Sequence, residues 1–279
     1  MLLSPVTVDL HSHSLHSHAK DTVAAMAASA FAKGMQVFGF SEHSLRPKGY
    51  CYPNDYQARL EAGFPSYIAE VAVEKERYAG RMDVLLALEM DYMPDEESYV
   101  REAIAAHPYE YVIGGLHFQG LWGFDHSIAD WDSLSAAACV DIFIRYYQDL
   151  ARMAETGLFQ IAAHPDLVKL FRKQTFDVWI ATPDAQERVR EALTAIKKAG
   201  MAMEVSSAAL RKGLGEPYPG PVIMDIARDL DMPITFGSDS HSVNDVAYGF
   251  DILAEYAHRF GYTQSVFFRN KEICFRPFA

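Results

Sequence analysis

The chain carries 11 histidines, and most stand in short patterns with carboxylates. His11 and His13 come first, with His16 and His18 close behind. Then follow Glu42 with His43, Glu89 with Asp91, His117, His164, Glu204, and Asp239 with His241. Imidazole with carboxylate suits Zn, Mn, Fe or Co better than Mg or Ca. His11 and His13 are two apart, so at a strand end both point to one side, and Asp239 and His241 repeat that spacing. With His16 and His18 rivals for one place, seven histidines, a bridging carboxylate and a further Asp exceed the three or four protein ligands of a single ion. A multinuclear site is the economical expectation. Ions about 3.5–4 Å apart can bridge a hydroxide and clamp a phosphoryl group. Hydrolysis of an amide or amidine carbon needs the same metal-activated water, so ligand types alone leave both chemistries open. His107, His126 and His258 fall outside the pattern and read as ordinary surface or loop residues.

The elements that must position these groups follow from periodicity. Apolar, β-branched runs predict strands over Val6–Leu10, Val37–Phe40, Val84–Leu88, Tyr111–Gly114, Gln160–Ala162, Met201–Val205 and Ile234–Phe236. Helical patterns lie between and after them: Thr22–Lys33, Tyr67–Tyr78, Glu96–Ala106, Val140–Thr156, Asp184–Ala199, Val222–Leu230 and Asp245–Phe260. Gly34, Gly157, Gly200 and Gly261 each follow a helical run, where a left-handed cap favours glycine. Strand–helix alternation implies a parallel sheet, and seven units predict an α/β barrel rather than an open sheet. Every predicted strand then ends in a group able to bind metal or substrate, which is where a barrel builds its active site. Ser265–Phe278 reads as a possible final strand without a definite place. Ser44–Pro65 and Phe118–Ala137 read as long aromatic loops, candidates for lids or specificity elements.

Composition narrows the function class. A chain of 279 residues fits one large domain or two small ones, and at 50% hydrophobic and 13% aromatic it has enough for a sizeable core; the expectation is one domain over 1–279. The net charge of −12 argues against a nucleic-acid partner, so any phosphate site must be made locally by metal ions or a few cations. No run approaches the ~18 apolar residues of a membrane helix, and Met1–Leu10 lacks signal-peptide character. Cys51, Cys139 and Cys274 are in no ligand spacing and read as reduced thiols of a cytoplasmic protein.

The motifs D-L-H-S-H (Asp9–His13), S-E-H (Ser41–His43), L-E-M-D-Y (Leu88–Tyr92), G-G-L-H-F (Gly114–Phe118), A-H-P-D-L-V-K (Ala163–Lys169) and G-S-D-S-H (Gly237–His241) resemble the polymerase-and-histidinol-phosphatase, or PHP, superfamily. The likeness runs from Asp9 to about Gly249. W-G-F-D (Trp122–Asp125) and L-R-K-G-L-G-E-P-Y-P (Leu210–Pro219) are similar to its histidinol-phosphate phosphatase branch. The resemblance implies a distorted seven-stranded TIM-like barrel, (β/α)7, holding three divalent ions, Zn, Mn or Fe. By that pattern His11, His13, Glu89 and Asp239 hold the first ion. Glu89 bridges to the second, with His117 and His164. His18, His43 and His241 hold the third. His16 is a rival for His18, because the ligand here lies five residues after His13 where the branch often has six. The branch also often reads N-T-S-G-L where this chain has Ser206–Leu210 as S-S-A-A-L.

The implied reaction is hydrolysis of a small phosphorylated metabolite, L-histidinol phosphate, by a metal-bridged hydroxide, with Glu89, Asp239 and His241 at its centre. Lys169, Arg211 and Lys212 are the candidate phosphate contacts, Arg in a bidentate way and Lys as a point charge. Trp122, Phe124 and the tyrosines of the first long loop are candidates to stack on the imidazole, and Asp125 or Glu204 to meet the ammonium. A PHP phosphatase or phosphodiesterase acting on another small phosphate is a second reading, and a nonenzymatic metal-binding module a third. An amidohydrolase is disfavoured by the lack of a candidate bridging Lys after the fourth strand.

Overall fold

The computed structural model describes residues 5–52 and 56–278. Seven parallel strands form the barrel: β1 (Val8–Asp9), β2 (Val37–His43), β3 (Asp83–Asp91), β4 (Tyr111–Gly115), β7 (Ile161–Ala162), β8 (Ala202–Ser206) and β9 (Ile234–Gly237), hydrogen-bonded in that order. The seam between β9 and β1 is joined by main-chain bonds from Leu10 to Phe236 (3.0 Å) and from His13 to Ser240 (2.9 Å). All seven predicted strands and the barrel architecture are borne out.

Period-two alternation explains how the strands do two jobs. On β3, Leu85 and Ala87 point inward, and the same parity continues to Glu89 and Asp91. On β4 the row is Tyr111, Ile113, Gly115 and then His117. On β2 it is Val37, Gly39, Ser41 and His43. The lower members of these rows pack together inside the barrel. The opposite parity (Phe38, Phe40, Val84, Leu88, Val112, Met203 and Val205) packs outward against the helices.

Those helices are α1 (Val23–Ala32), α2 (Gln57–Tyr78), α3 (Glu97–Ala105), α4 (Ala136–Glu155), α5 (Lys173–Ile180), α6 (Pro183–Lys198), α7 (Ala208–Arg211), α8 (Pro221–Asp229) and α9 (Phe250–Arg259). Local chemistry sets their ends. Thr22 caps α1 by accepting from Ala25 N at 3.2 Å. Thr182 caps α6 ahead of Pro183. Gly34, Gly157, Gly200 and Gly261 all take positive φ after helices, as expected.

Three expectations need correction. The first long loop is shorter than Ser44–Pro65, because α2 begins at Gln57 and runs through Pro65. Leu60, Tyr67, Val71 and Tyr78 are buried at helical spacing on both sides of that proline, so packing outweighs the one backbone bond it removes. The second long loop holds a small antiparallel ladder, β5 (Phe118–Gln119) with β6 (Trp122–Gly123), and a short 3-10 turn over Ile128–Trp131. The final segment is a hairpin rather than one strand: β10 (Gln264–Arg269) and β11 (Glu272–Pro277) turn through Asn270 and Lys271, both at positive φ. Val266, Phe267 and Phe268 of this hairpin cover the inward apolar row beneath the barrel. Among the described residues, no helix is long and apolar enough to cross a membrane.

Candidate metal centre

The upper ends of the inward rows converge on Glu89, which is buried. His11 Nε2 stands 3.3 Å from its Oε1 and His164 Nε2 3.2 Å. His117 Nε2 stands 3.6 Å from the same oxygen. On Oε2, His43 Nδ1 approaches to 2.9 Å and His13 Nε2 to 3.5 Å. Asp239 Oδ1 faces His13 Nε2 at 3.3 Å and His11 Nε2 at 3.8 Å from across the barrel seam. Beside this core, His13, His18, His43 and His241 gather face to face: His18 lies 4.3 Å from His241 and 5.0 Å from His43 between ring centroids, and His13 lies 4.1 Å from His43. His16 turns away. Its Nε2 pairs with Glu70 at 3.3 Å and its ring rests on Tyr67. Of the two rivals, the structure brings His18 into the cluster and not His16.

The donor atoms fit cations. Within the groups His11–His13–Glu89, Glu89–His117–His164 and His13–His43–His241, candidate ligand atoms lie within 4.8 Å of one another. His43 Nε2 and His241 Nε2 are buried with no hydrogen-bond partner in the described structure. Such groups are costly to bury unless something binds them. Burial alone would lower the imidazole pKa of His13. Hydrogen bonds to Asp239 and Glu42 and the field of Glu89 outweigh it and push the group up to about 9. His117 reaches about 9 in the same way, burial being overcome by Asp91 and Glu89. The carboxylates therefore demand positive charge at this spot. His18 behaves oppositely, pushed down to about 4 by burial and then by His13. It offers a free lone pair at neutral pH.

Neighbouring groups aim these side chains. Glu204 accepts from His11 Nδ1 at 2.8 Å and from His164 N at 2.7 Å. Glu42 faces His13 Nδ1 at 3.4 Å and is itself held by Ser14. Such outer partners fix the tautomer and orientation of a ligating imidazole. Asp9 ties the seam by accepting from Ser238 N, Ser238 Oγ and Ala247 N at 2.9, 2.7 and 3.1 Å. His164 (φ 22°) and Asp239 (φ 50°) occupy the left-handed region, a strain that persists only where the surroundings over-determine it. Gly237 is required by close approach, since a Cβ there would lie 2.0 Å from Glu204 Oε1.

A cavity of about 280 Å³ opens above the cluster, lined by Tyr52, Tyr56, Asp125, His126, Lys212 and Arg46 as well as the ligand candidates. The predicted substrate contacts sort differently here. Lys212 lines the cavity, its Nζ 3.8 Å from Asp239 Oδ2. Lys169 is fully buried, its Nζ bound to Asp166 and Glu216 at 2.7 and 2.8 Å, and does not line the cavity. Arg211 spends one nitrogen on the Ser238 and Asp239 carbonyls, both at 2.6 Å, and so holds the strand end rather than facing the cavity. Trp122 packs on Trp131 and Phe124, off the cavity wall. Phe124 is buried in the core, and Glu204 is committed to His11 and His164. Asp125 does line the cavity and accepts from the Tyr52 hydroxyl at 2.6 Å. His126, read as ordinary, lines it too and stacks on Tyr52. Arg46 carried no motif, and no spacing signal could have found it.

Comparison with known proteins identifies the family and the fold. The PHP domain profile matches residues 9–208. A Deinococcus radiodurans protein named "Probable histidinol-phosphatase" is 31% identical over 245 residues, covering 87% of this chain and 89% of that one. The histidinol-phosphatase of Bacillus subtilis is 26% identical, covering 84% and 92%. The fold matches a Lactococcus lactis histidinol phosphate phosphatase, solved with zinc, L-histidinol and phosphate, at a TM-score of 0.77 and 18% identity over 96% of this chain and 98% of that one. The histidines and carboxylates gathered around Glu89 thus sit on a recognised scaffold: the chain belongs to the PHP domain family, in its histidinol-phosphatase branch.

Proposed function

We propose that this chain is a metal-dependent phosphomonoesterase, one domain over 1–279, that hydrolyses L-histidinol phosphate to L-histidinol and phosphate. The observation that carries the reading is the convergence of buried imidazoles and carboxylates on Glu89 at the floor of a cavity walled by Tyr52, Tyr56 and Asp125. The relatives named histidinol-phosphatase support the substrate.

In this reading three ions share the cluster. His11, His13, Glu89 and Asp239 would hold one, Glu89 with His117 and His164 a second, and His18, His43 and His241 a third. When bound, such ions neutralise phosphoryl charge and lower the pKa of water, whether zinc, manganese or iron. The chain's own residues do the rest. Glu89 and Asp239 supply negative charge between the imidazoles. The Asp239 carbonyl, 2.9 Å from His241 Nδ1, accepts a hydrogen bond from Nδ1–H and so favours the tautomer whose lone pair is on Nε2, leaving His241 poised to ligate. Lys212 offers a mobile point charge to the phosphate, while Arg211 and Lys169 hold backbone and loop behind it. Asp125 on the cavity wall offers a counter-charge to an ammonium, and Tyr52, Tyr56 and His126 line the space an imidazole would occupy. Three unpaired cysteines fit a reducing compartment, and we read the protein as cytoplasmic.

The test is phosphate release by purified protein supplied with zinc, manganese or iron. L-Histidinol phosphate is expected to be turned over with a higher kcat/KM than aryl phosphates, and strong chelation to abolish both. Equal rates on both esters would remove the substrate assignment and leave a general PHP phosphatase. Full activity in chelator would remove the metal reading as well.

A further inference from the structure

The loop after β2 places one more charged group against the cluster. The Arg46 side chain is buried, only 1% exposed. Its Nε donates to Asp91 Oδ2, and its Nη2 donates to the Tyr56 hydroxyl at 2.9 Å. The rings of Tyr52, Tyr56 and Phe118 stand 5.0, 5.5 and 5.1 Å from its guanidinium carbon. Held at Nε and Nη2 and faced by three rings, this fork is fixed in orientation, with Nη1 buried and unpartnered. The other Asp91 oxygen, Oδ1, meets His117 Nδ1. The far nitrogen of the same imidazole, Nε2, faces Glu89 and joins His164 in one group of candidate ligand atoms.

These contacts form a line: Tyr56, Arg46, Asp91, His117, Glu89. A carboxylate held at one oxygen cannot rotate freely about its last bond. A fixed carboxylate accepting from Nδ1–H selects the tautomer whose lone pair is on Nε2. We propose that Arg46 is the positioning residue for His117: by holding Asp91 Oδ2 it keeps Oδ1 on His117 Nδ1 and so aims the Nε2 lone pair at the site beside Glu89 and His164. Lysine would not replace it, because a point charge cannot bind Asp91 and the Tyr56 hydroxyl in one plane. The inference rests on the reading of this cluster as a metal site, and it assigns a cation in the cavity wall to geometry rather than to substrate charge.

The experiment reads zinc retention without substrate. Wild type, Arg46→Met, Arg46→Lys, Asp91→Asn and the double variant Arg46→Met/Asp91→Asn are loaded with zinc, dialysed against graded chelator and analysed for zinc per chain, with folding followed by circular dichroism. Arg46→Met is expected to lose the His117 ion at roughly 10- to 100-fold less chelator than wild type, the range for groups that orient a ligating histidine. Arg46→Lys should recover only part of that loss. The double variant should be no worse than Asp91→Asn, because both residues act through one path. Wild-type retention in Arg46→Met with a raised KM would overturn the proposal and make Arg46 a substrate contact. Losses that add in the double variant would overturn it too. If Arg46→Met alone does not fold, the double variant, which removes both charges, still decides by its comparison with Asp91→Asn. A wild type that retains no zinc would instead defeat the metal reading itself.

Discussion

The two ends of the barrel interior are built from the same inward-facing rows and serve opposite ends. At the lower end Val37, Leu85, Tyr111, Ile113, Ile161 and Ala202 pack with Phe267 and its neighbours from the hairpin β10–β11, with no charged group among them. A few residues up the same strands the row turns to His43, Glu89, Asp91, His117 and Glu204, where Nε2 atoms of His43 and His241 lie buried without partners. Apolar burial at the base contributes about 25 cal/mol per Å². The upper end spends stability on unsatisfied and strained groups. The contrast teaches that one parity of one strand can be foundation at its start and chemistry at its finish, and that the two should respond separately to substitution.

The largest effect should come from the centre of the upper end. Glu89→Gln removes the carboxylate shared by five imidazoles. Turnover should fall by more than about 100-fold, beyond the range of groups that merely orient a ligand. Metal per chain, read by elemental analysis, should fall with it. Retained metal and rate would break the contrast at its strongest point. Next comes the base: Phe267→Ala should lower unfolding free energy by about 3–5 kcal/mol in denaturant titration while the native protein keeps its metal stoichiometry. Metal loss from the folded variant would mean the two ends are coupled.

Arg211→Ala should be milder and sharpens the boundary. The sequence suggested a phosphate contact whose removal spares metal. With its guanidinium on the Ser238 and Asp239 carbonyls, the expected outcome is instead zinc held about 10- to 100-fold more weakly and little change in KM. A raised KM with intact zinc affinity would restore the first idea. The smallest effect belongs to His16→Ala. It loses a partly exposed pair with Glu70 worth at most about 1 kcal/mol, whereas His18→Ala should lower the metal count. Reversal of that order would show that the register of the first motif is misread.

Much of this was legible in the chain itself, for a physical reason. Strands whose inward residues end in His, Glu or Asp announce both their period and their polarity, so barrel and ligand cluster emerge together. What escaped lacks a local signal. Pro65 looks like a boundary, yet tertiary packing of Leu60 and Tyr67 carries α2 through it. The hairpin turn uses Asn270 and Lys271 without a glycine. Lys169 pairs with Asp166 only three residues before it, but its other partner Glu216 and the Ser238 and Asp239 carbonyls that hold Arg211 lie 27 to 47 residues away, and spacing cannot reveal such pairings. Arg46 stands in a Tyr- and Pro-rich loop where nothing marks it until Asp91 comes within reach.

The seam between β1 and β9 has a consequence for how the molecule comes apart. Asp9 and Ser238, 229 positions apart, are bonded across it, with His11 and His13 on one lip and Asp239 and His241 on the other. An ion held by His13 and Asp239 would act as a reversible staple joining distant parts of the chain. It could bind only when the cylinder is shut, so its free concentration would add to the work of opening the seam. Loops of that length are slow to close and easily left ajar. To this barrel a chelator should act as a reductant acts on a protein whose one long-range disulfide spans nearly the whole chain, lowering its resistance to proteases and heat before any covalent bond has been cut.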